Sequence, residues 1–224
     1  MARSATKGTA QPDSSRKAKA RPRASRLEKS AATRDAILAA ALDEFSARGF
    51  AAARLDDVAR RAGVAKGTIY VHFRDKETLF EELVRSALVP VIMAAEAAVA
   101  DLPLRLFAER LIDTFVREIY GTRRKDVLRL IITEGERFPQ LAHIYYREVI
   151  TRALGVLRAV VRRAIERGEI GDDALLRFPQ LLIAPGLVAI IWDALFARFE
   201  PLDVAAMMRK HLDLLFEALE GRRA

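Results

Sequence analysis

A cluster of hydrogen-bonding and apolar side chains around residue 70 is the part of the sequence with the clearest chemistry. The side chains that surround this short predicted helix are Lys66, Thr68, Tyr70, Val71 and His72. A lysine at the start of a helix can reach O6 and N7 of guanine, and an apolar valine suits the methyl group of thymine. The tyrosine hydroxyl is an ordinary donor to phosphate oxygens. The segment therefore indicates a surface that binds DNA.

The residues that must position this surface have the spacing of two helices that cross closely. Ala59 provides the small residue that a close helix contact needs, and Gly63 tolerates the positive φ of a tight turn. Ile69 provides the apolar anchor of the second helix, with Phe73 one turn later on the same face. The pattern favours a helix-turn-helix, although any helical hairpin can show this spacing by chance.

Apolar residues in the rest of the chain recur at intervals of three and four, and no run alternates as a β-strand would. The sequence therefore predicts an all-α fold. Thr33 is expected to cap the first helix and Gly49 to end it, with Phe50 folding back on its last turn. Pro90 is expected to bend or end the helix that Asp75 opens. The other predicted helices cover residues 55–62, 66–73, 104–120, 125–135, 139–167, 173–198 and 203–220.

The net charge of the 224-residue chain is +8, and most of it lies at the N-terminus. Residues 1–32 contain nine basic and two acidic residues in a stretch rich in Ala, Ser and Pro. This composition predicts a disordered basic arm. Such an arm is suited to binding a polyanion, because each phosphate that it neutralises releases counterions. A solubilising tail without a partner is the alternative for this segment.

Composition also limits where in the cell the protein can act and which kinds of chemical site it can form. The chain has no cysteine, which excludes disulfides, thiolate metal sites and thiol redox sensing, and its three histidines are too far apart in sequence to suggest a metal site. The start of the chain has no apolar segment of the kind that a secretory signal needs. The longest uncharged run, residues 178–192, has 15 residues, whereas a membrane span needs ~20. We expect a cytoplasmic protein with no cofactor, no metal and no membrane partner.

Residues 33–80 closely resemble the DNA-binding domain of the tetracycline-repressor (TetR) family. The resemblance rests on ILAAALDEFSARGF at residues 37–50 and on LDDVARRAGVAKGTIYVHFRDKETLF at residues 55–80. It implies a three-helix, helix-turn-helix DNA-binding domain over residues 33–80. A larger helical ligand-binding and dimerisation domain would follow over residues 81–224. Double-stranded operator DNA is the implied partner.

The same resemblance assigns roles to individual residues. It implies base contacts from Lys66, Gly67, Thr68 and Val71, and phosphate contacts from Tyr70, His72 and Lys76. The family usually has threonine or serine capping the second helix, whereas this chain has Ala53 and Arg54. Asp56 and Asp57 can partly replace the missing cap, because negative charge stabilises a helix N-terminus. Arg54 is expected either to contact phosphate or to lie exposed in solvent.

The C-terminal half is expected to bind a ligand and a second copy of the chain. The resemblance implies that the last two helices pair with their copies in a four-helix interface. Leu187, Ile191 and Leu195 fit this role, although burial inside the monomer competes for some apolar positions. The candidate ligand contacts are aromatic or polar side chains of the middle helices, each with core packing as the alternative: Phe107, Phe115, Tyr120, Phe138, His143, Tyr145, Tyr146 and Trp192. For Trp192, the dimer interface is a further alternative.

Motifs of the common enzyme classes are absent from the sequence: it has no glycine-rich phosphate loop, no G-x-S-x-G and no H-E-x-x-H. We therefore expect a regulator rather than an enzyme. The expected function is a repressor that binds a palindromic operator as a homodimer and is released by a small apolar or aromatic ligand. An architectural DNA-binding protein would instead have a filled C-terminal core without a cavity. A helical interaction module, or an enzyme that lost DNA binding, would have a neutral third helix.

Overall fold

Helices account for all the regular secondary structure in the computed structural model, which describes residues 21–97 and 102–220. The N-terminal part contains α1 (Arg21–Ala52), α2 (Leu55–Ala62), α3 (Lys66–His72) and α4 (Lys76–Ala97). The predicted all-α fold is confirmed, and the two short helices α2 and α3 have the predicted bounds to within one residue. Within these described ranges, no helix combines the length and the apolar character that crossing a membrane requires.

The C-terminal part continues with helices of varied length. They are α5 (Leu104–Thr114), α6 (Arg124–Glu134), α7 (Pro139–Tyr145), α8 (Thr151–Glu166), α9 (Ala174–Arg177), α10 (Ala184–Leu195) and α11 (Val204–Glu220). Two π-helical turns interrupt the regular geometry: Phe115–Tyr120 extends α5, and Tyr146–Ile150 joins α7 to α8. Such turns are rare and are frequently found at functional sites.

The start of α1 differs from the prediction. Because the helix begins at Arg21, Thr33 does not cap it, and the Thr33 hydroxyl instead donates to the carbonyl of Lys29 within the helix. Residues 23–32 consist largely of Ala, Arg, Lys, Glu and Leu, which favour helix, and contain no glycine or proline. Residues 1–20 of the predicted arm lie outside the described residues, and residues 21–32 form the first part of α1.

The single helix predicted for residues 173–198 is wrong. The chain there forms α9, a 3-10 turn at Pro179–Leu182, and α10. Pro179 and Pro185 each lie in the first turn of the segment that follows, where the missing backbone N–H needs no partner. Pro90 behaves differently, because α4 continues through it to Ala97.

An aromatic cluster joins the N-terminal helices to the C-terminal part. The ring centroid of Phe50 lies 5.4 Å from that of Phe45, 5.9 Å from that of Phe80 and 5.3 Å from that of Phe138. Gly49 interrupts α1 with a non-helical φ of +73° and ψ of +164°, so the regular helix ends there as predicted and the residues from Phe50 to Ala52 fold back on it. Only glycine adopts this φ readily. The predicted return of Phe50 is confirmed. The same core includes buried residues of α4, α6 and α7, so it extends across the predicted domain boundary at residue 80.

A second core lies farther along the chain. Its largest buried side chains come from α5, α8 and α11, and include Phe107, Leu157, Val161, Met208 and Phe216. The first half of α4 is buried in the first core, and its second half faces α5 beside this second core. One helix therefore spans both halves of the protein.

Asp75 caps the N-terminus of α4. Its Oδ1 accepts a hydrogen bond of 2.6 Å from the Thr78 hydroxyl and one of 2.8 Å from the Thr78 backbone N–H. These hydrogen bonds, with a smaller contribution from Arg74, lower the pKa of Asp75 to about 2. The cap sets the residue at which the long helix begins, directly after α3.

Replacing Asp75 by alanine should lower the free energy of unfolding by about 1 kcal/mol, the usual cost of a lost helix cap. Because the pKa of this carboxyl is lower in the folded protein than its ordinary value of 3.8, the stabilisation from its charge is present above pH 3.8 and is lost as the pH falls toward about 2. Asp75→Asn is the matched control, since it keeps an acceptor oxygen and does not titrate. Urea unfolding at pH 7 and pH 3 measures both effects. Equal stability of the wild type and Asp75→Ala at pH 7 would contradict the cap.

Candidate nucleic-acid interface

The turn between α2 and α3 sets how the two helices cross. Gly63 has φ +70° and ψ +26°, in the left-handed region, which confirms the predicted positive φ. The Gly63 N–H donates to the carbonyl of Arg60 at 3.2 Å, and the Val64 N–H donates to the carbonyl of Ala59 at 3.0 Å. This pair of hydrogen bonds is a Schellman motif, which ends α2 and turns the chain sharply into α3.

α3 is anchored to the protein along one face. Ile69 and Phe73 are buried in the first core together with Ala59 of α2. The opposite face is free, with 48% of Tyr70 and 83% of Val71 exposed. An apolar side chain as exposed as Val71 adds nothing to the packing of the core. The free face of α3 is therefore available for contact with another molecule.

The N-terminal residues of α3 combine a cation with an open backbone. Lys66 forms an ion pair of 2.7 Å with Asp56 of α2, and this hydrogen bond raises the pKa of Lys66 above its ordinary value. Gly67 is exposed and helical, and a Cβ added there would meet no atom within 4 Å. The packing of the protein therefore does not explain a glycine at this position, whereas close approach of a partner would.

The remaining residues predicted to contact DNA lie around this face. Arg54 is exposed and precedes α2 in an extended conformation, with no capping hydrogen bond from its side chain. Thr68 and His72 are half-buried, and the His72 ring lies 6.2 Å from that of Phe73. Arg74 follows α3 and is highly exposed, although it was not among the predicted contacts.

Lys76 has a structural role that the sequence pattern did not indicate. Its Nζ donates to the carbonyls of Phe50 at 2.9 Å and Ala51 at 3.0 Å, and lies 4.9 Å from the centroid of the Phe50 ring. A cation at these free carbonyls stabilises the end of α1. The phosphate contact predicted for Lys76 stays a prediction.

The predicted ligand contacts are spread over the protein rather than gathered in one place. Phe107 lines a cavity of about 480 Å³ between α4, α5 and the first π-helical turn. Phe115 lies against Gly186 of α10, where an added Cβ would come within 3.1 Å of the ring. The Tyr120 hydroxyl donates to Asp193 of α10 at 3.1 Å. The pKa of Tyr120 is raised above its ordinary value, mainly because the ring is partly buried.

The other candidates lie away from this cavity. Phe138 belongs to the aromatic cluster, and Tyr145 packs on the first core, where burial raises its pKa to about 12. His143 and Tyr146 are exposed. The Trp192 N–H donates to the carbonyl of Glu200 at 2.8 Å.

Charged residues of the cavity were not predicted. Arg110, Arg117 and Arg124 all line it, together with the acidic side chains of Asp113 and Glu118. The seven-residue interval between Arg110 and Arg117 is the sequence signal that could have found these two, because it places side chains on one face of a helix. Arg124 begins α6 after a turn, so the interval does not account for it. In the part of the chain that the structure describes, no three His, Asp or Glu side chains are arranged to hold a metal ion.

α10 has an exposed apolar face. Leu187 and Leu195 are 54% and 56% exposed, and they lie on one side of the helix with Ile191. Val188 and Phe196 are also exposed beside them. A continuous apolar surface of this kind is typical of a protein contact.

The crossed α2 and α3, the glycine turn and the free face of α3 define a helix-turn-helix DNA-binding domain, followed here by a larger helical part. Residues 37–83 match the family model described as bacterial regulatory proteins, tetR family. Residues 104–213 match the model described as tetracyclin repressor-like, C-terminal domain. The chain belongs to the TetR family of transcriptional regulators, as its sequence indicated.

Known proteins with a similar sequence or fold are regulators. The HTH-type transcriptional regulator AcrR of Shigella flexneri is 26% identical over 190 residues, which are 83% of this chain and 88% of that protein. The regulator SrpR of Pseudomonas putida is 28% identical over 138 residues, 62% of this chain and 63% of SrpR. The structure of the regulator FadR from Bacillus subtilis in complex with stearoyl-CoA has a TM-score of 0.64 at 20% identity, covering 81% of this chain and 96% of FadR.

Replacing Lys76 by methionine should lower the free energy of unfolding by about 1–2 kcal/mol, because the carbonyls of Phe50 and Ala51 lose a charged donor. Lys29→Met, at an exposed position of α1, is the matched control and should leave stability unchanged. Chemical denaturation measures both variants. If Lys76→Met is as stable as the control, the ammonium does not hold the end of α1.

Proposed function

We propose that the chain is a repressor that binds a palindromic operator as a homodimer and is released when a small ligand occupies the cavity. It would act in the cytoplasm, where its DNA is found. The observation that carries the proposal is the free face of α3, on which exposed Val71 and Tyr70 follow Lys66 on a helix anchored by its opposite side.

The chemistry of this face suits the major groove of DNA. Lys66 can donate to guanine, Val71 can contact a thymine methyl, and the exposed backbone at Gly67 allows a close approach. Because Lys66 is paired with Asp56, a base contact requires the ammonium to exchange one acceptor for another. A well-aligned acceptor on a base can replace the Asp56 carboxylate as the partner of Lys66. Asp56 would therefore favour a specific base contact over a non-specific attraction between Lys66 and the DNA backbone.

A homodimer is supported by the exposed face of α10. In a two-fold interface the same patch occurs on both copies, and a stripe that includes Leu187, Ile191 and Leu195 can pack against its own copy. Two copies related in this way would present two α3 helices to half-sites separated by ~34–36 Å, or by a multiple of that distance.

The cavity supports a response to a ligand. Its volume of about 480 Å³ falls within the range of ~300–1,000 Å³ usual for small-molecule sites. Pro90, Val91 and Ala94 of α4 form part of its wall, and α4 begins four residues after α3 ends. A ligand that displaces α4 would therefore change the position of α3 relative to its copy.

Selection from random double-stranded DNA by the purified full-length chain tests the proposal. We expect enrichment of an inverted repeat whose two halves are about one helical turn apart. Enrichment of no sequence would contradict specific operator binding.

Lys66→Ala should weaken binding to the selected operator by ~1–3 kcal/mol and relax the preference at one base position of each half-site. Arg158→Ala, at an exposed position of α8, is the control and should bind as the wild type does. Fluorescence anisotropy with the operator and its single-base variants separates specific from general effects. An equal loss of affinity on all sequences would assign Lys66 to phosphate instead.

Leu195→Glu should give monomers that bind the operator weakly, because burying the introduced charge opposes the interface and the two half-sites are no longer bound together. Met93→Glu replaces an equally exposed apolar side chain on α4 and should leave the dimer intact. Analytical ultracentrifugation reports both states. Persistence of the dimer in Leu195→Glu would place the interface elsewhere.

A further inference from the structure

We infer that the cavity binds an amphipathic anion, which is an apolar chain or ring carrying a carboxylate, sulfate or phosphate group. This inference deepens the proposed function and rests on it only for the effect of the ligand on DNA binding. The sequence predicts an apolar or aromatic ligand, and this inference adds a negatively charged group at one end of that ligand.

One side of the cavity is apolar. α4 contributes Pro90, Val91 and Ala94, and α5 contributes Phe107 and Leu111. These side chains offer no hydrogen-bond donor or acceptor, so they favour the hydrocarbon part of a ligand over water.

The other side contains a carboxylate shared by two arginines. Arg117 Nε lies 2.9 Å from Glu118 Oε1, and Arg124 Nη1 lies 3.2 Å from Glu118 Oε2 and 2.9 Å from the Glu118 carbonyl. The hydrogen bond from Arg117 is the largest cause of the lowered pKa of Glu118, so this carboxyl is ionised at neutral pH. The two guanidinium groups thus already bind one anion, which comes from the protein itself.

The charges along the wall leave an excess of cations. Among the described residues, Arg110 has no ion pair or hydrogen bond through its side chain, and it is exposed on the same wall. Asp113, the other acidic residue of the wall, pairs with Arg209 of α11 at 2.8 Å. Within residues 21–97 and 102–220, the three arginines of the wall are therefore opposed by a single carboxylate, that of Glu118. An anion satisfies this arrangement, whereas a cationic ligand is repelled.

Glu118 then acts as an internal competitor for the ligand. An anionic group that binds Arg117 and Arg124 must replace the Glu118 carboxylate or share its donors. Glu118 lies in the π-helical turn that ends at Tyr120, and the Tyr120 hydroxyl contacts Asp193 of α10. Displacement of Glu118 at the cavity would therefore reach the helix proposed to form the dimer.

Three probes with the same ten-carbon chain test the inference: decanoate, decanol and decyltrimethylammonium. Calorimetric titration of the full-length protein without DNA, below the micelle concentration of each probe, gives the dissociation constants. We expect decanoate to bind at least tenfold more tightly than decanol, which corresponds to about 1.4 kcal/mol, and decyltrimethylammonium to bind most weakly. Decyl phosphate in a parallel titration distinguishes a phosphate from a carboxylate head group.

Variants of the charged wall identify the cause of any preference. Arg110→Gln and Arg124→Gln should weaken decanoate about tenfold and leave decanol unchanged, whereas Glu118→Gln should strengthen decanoate. Arg158→Gln, which is outside the cavity, is the control. Arg110 supports no other side chain, so its variant remains informative if Arg124→Gln fails to fold.

Two outcomes would overturn the inference: equal affinity for decanoate and decanol, or no binding of either probe. DNA selection is measured separately, so the two proposals can fail independently. A protein that selects an operator but shows no head-group preference contradicts the anionic ligand alone. A protein that prefers decanoate but selects no DNA sequence contradicts the proposed repressor alone.

Discussion

The packing of Phe50 against Phe45, Phe80 and Phe138 connects the helix-turn-helix domain with the rest of the protein. Phe80 belongs to α4, which starts beside α3 and continues into the wall of the cavity. Because protein interiors are close-packed, a displacement of this helix at the cavity cannot be absorbed locally and is passed to its neighbours. The effect of a ligand is limited by its difference in affinity between the two arrangements, and a hundredfold release of DNA requires about 2.7 kcal/mol.

Asp193 provides a connection between helices of the C-terminal part. It accepts hydrogen bonds from Tyr120 at 3.1 Å and Lys125 at 3.0 Å, and from Arg129, so α10 is joined to the π-helical turn and to α6. Burial raises the pKa of this carboxyl, but the hydrogen bonds outweigh burial and hold the pKa below its ordinary value. Breaking such a pair leaves a half-buried charge without compensation, so the cluster favours a single arrangement of these helices.

Local features of the structure could be predicted from the sequence, and long-range ones could not. The bounds of α2 and α3 and the positive φ of Gly63 depend on a few neighbouring residues, and they agree with the prediction. The contact of Phe138 with Phe50 joins residues far apart in the chain, so the sequence alone left a ligand contact and core packing both open for Phe138. The arginines that line the cavity are similar, because a charged residue on a helix ordinarily faces solvent, and only the packing of α4, α5 and α6 brings Arg110, Arg117 and Arg124 to one cavity.

In the proposed complex, two copies of the chain present their α3 helices to successive turns of one DNA molecule. The absence of cysteine from the sequence allows a single spin label at Arg74→Cys, an exposed position directly after α3. Pulsed electron-electron double resonance then measures the distance between the two labels of a dimer bound to its selected operator. We expect one narrow distance compatible with recognition helices roughly 35 Å apart, or a multiple of that spacing. A sample without any dipolar interaction between labels, or a distance that fits no whole number of DNA turns, would contradict it.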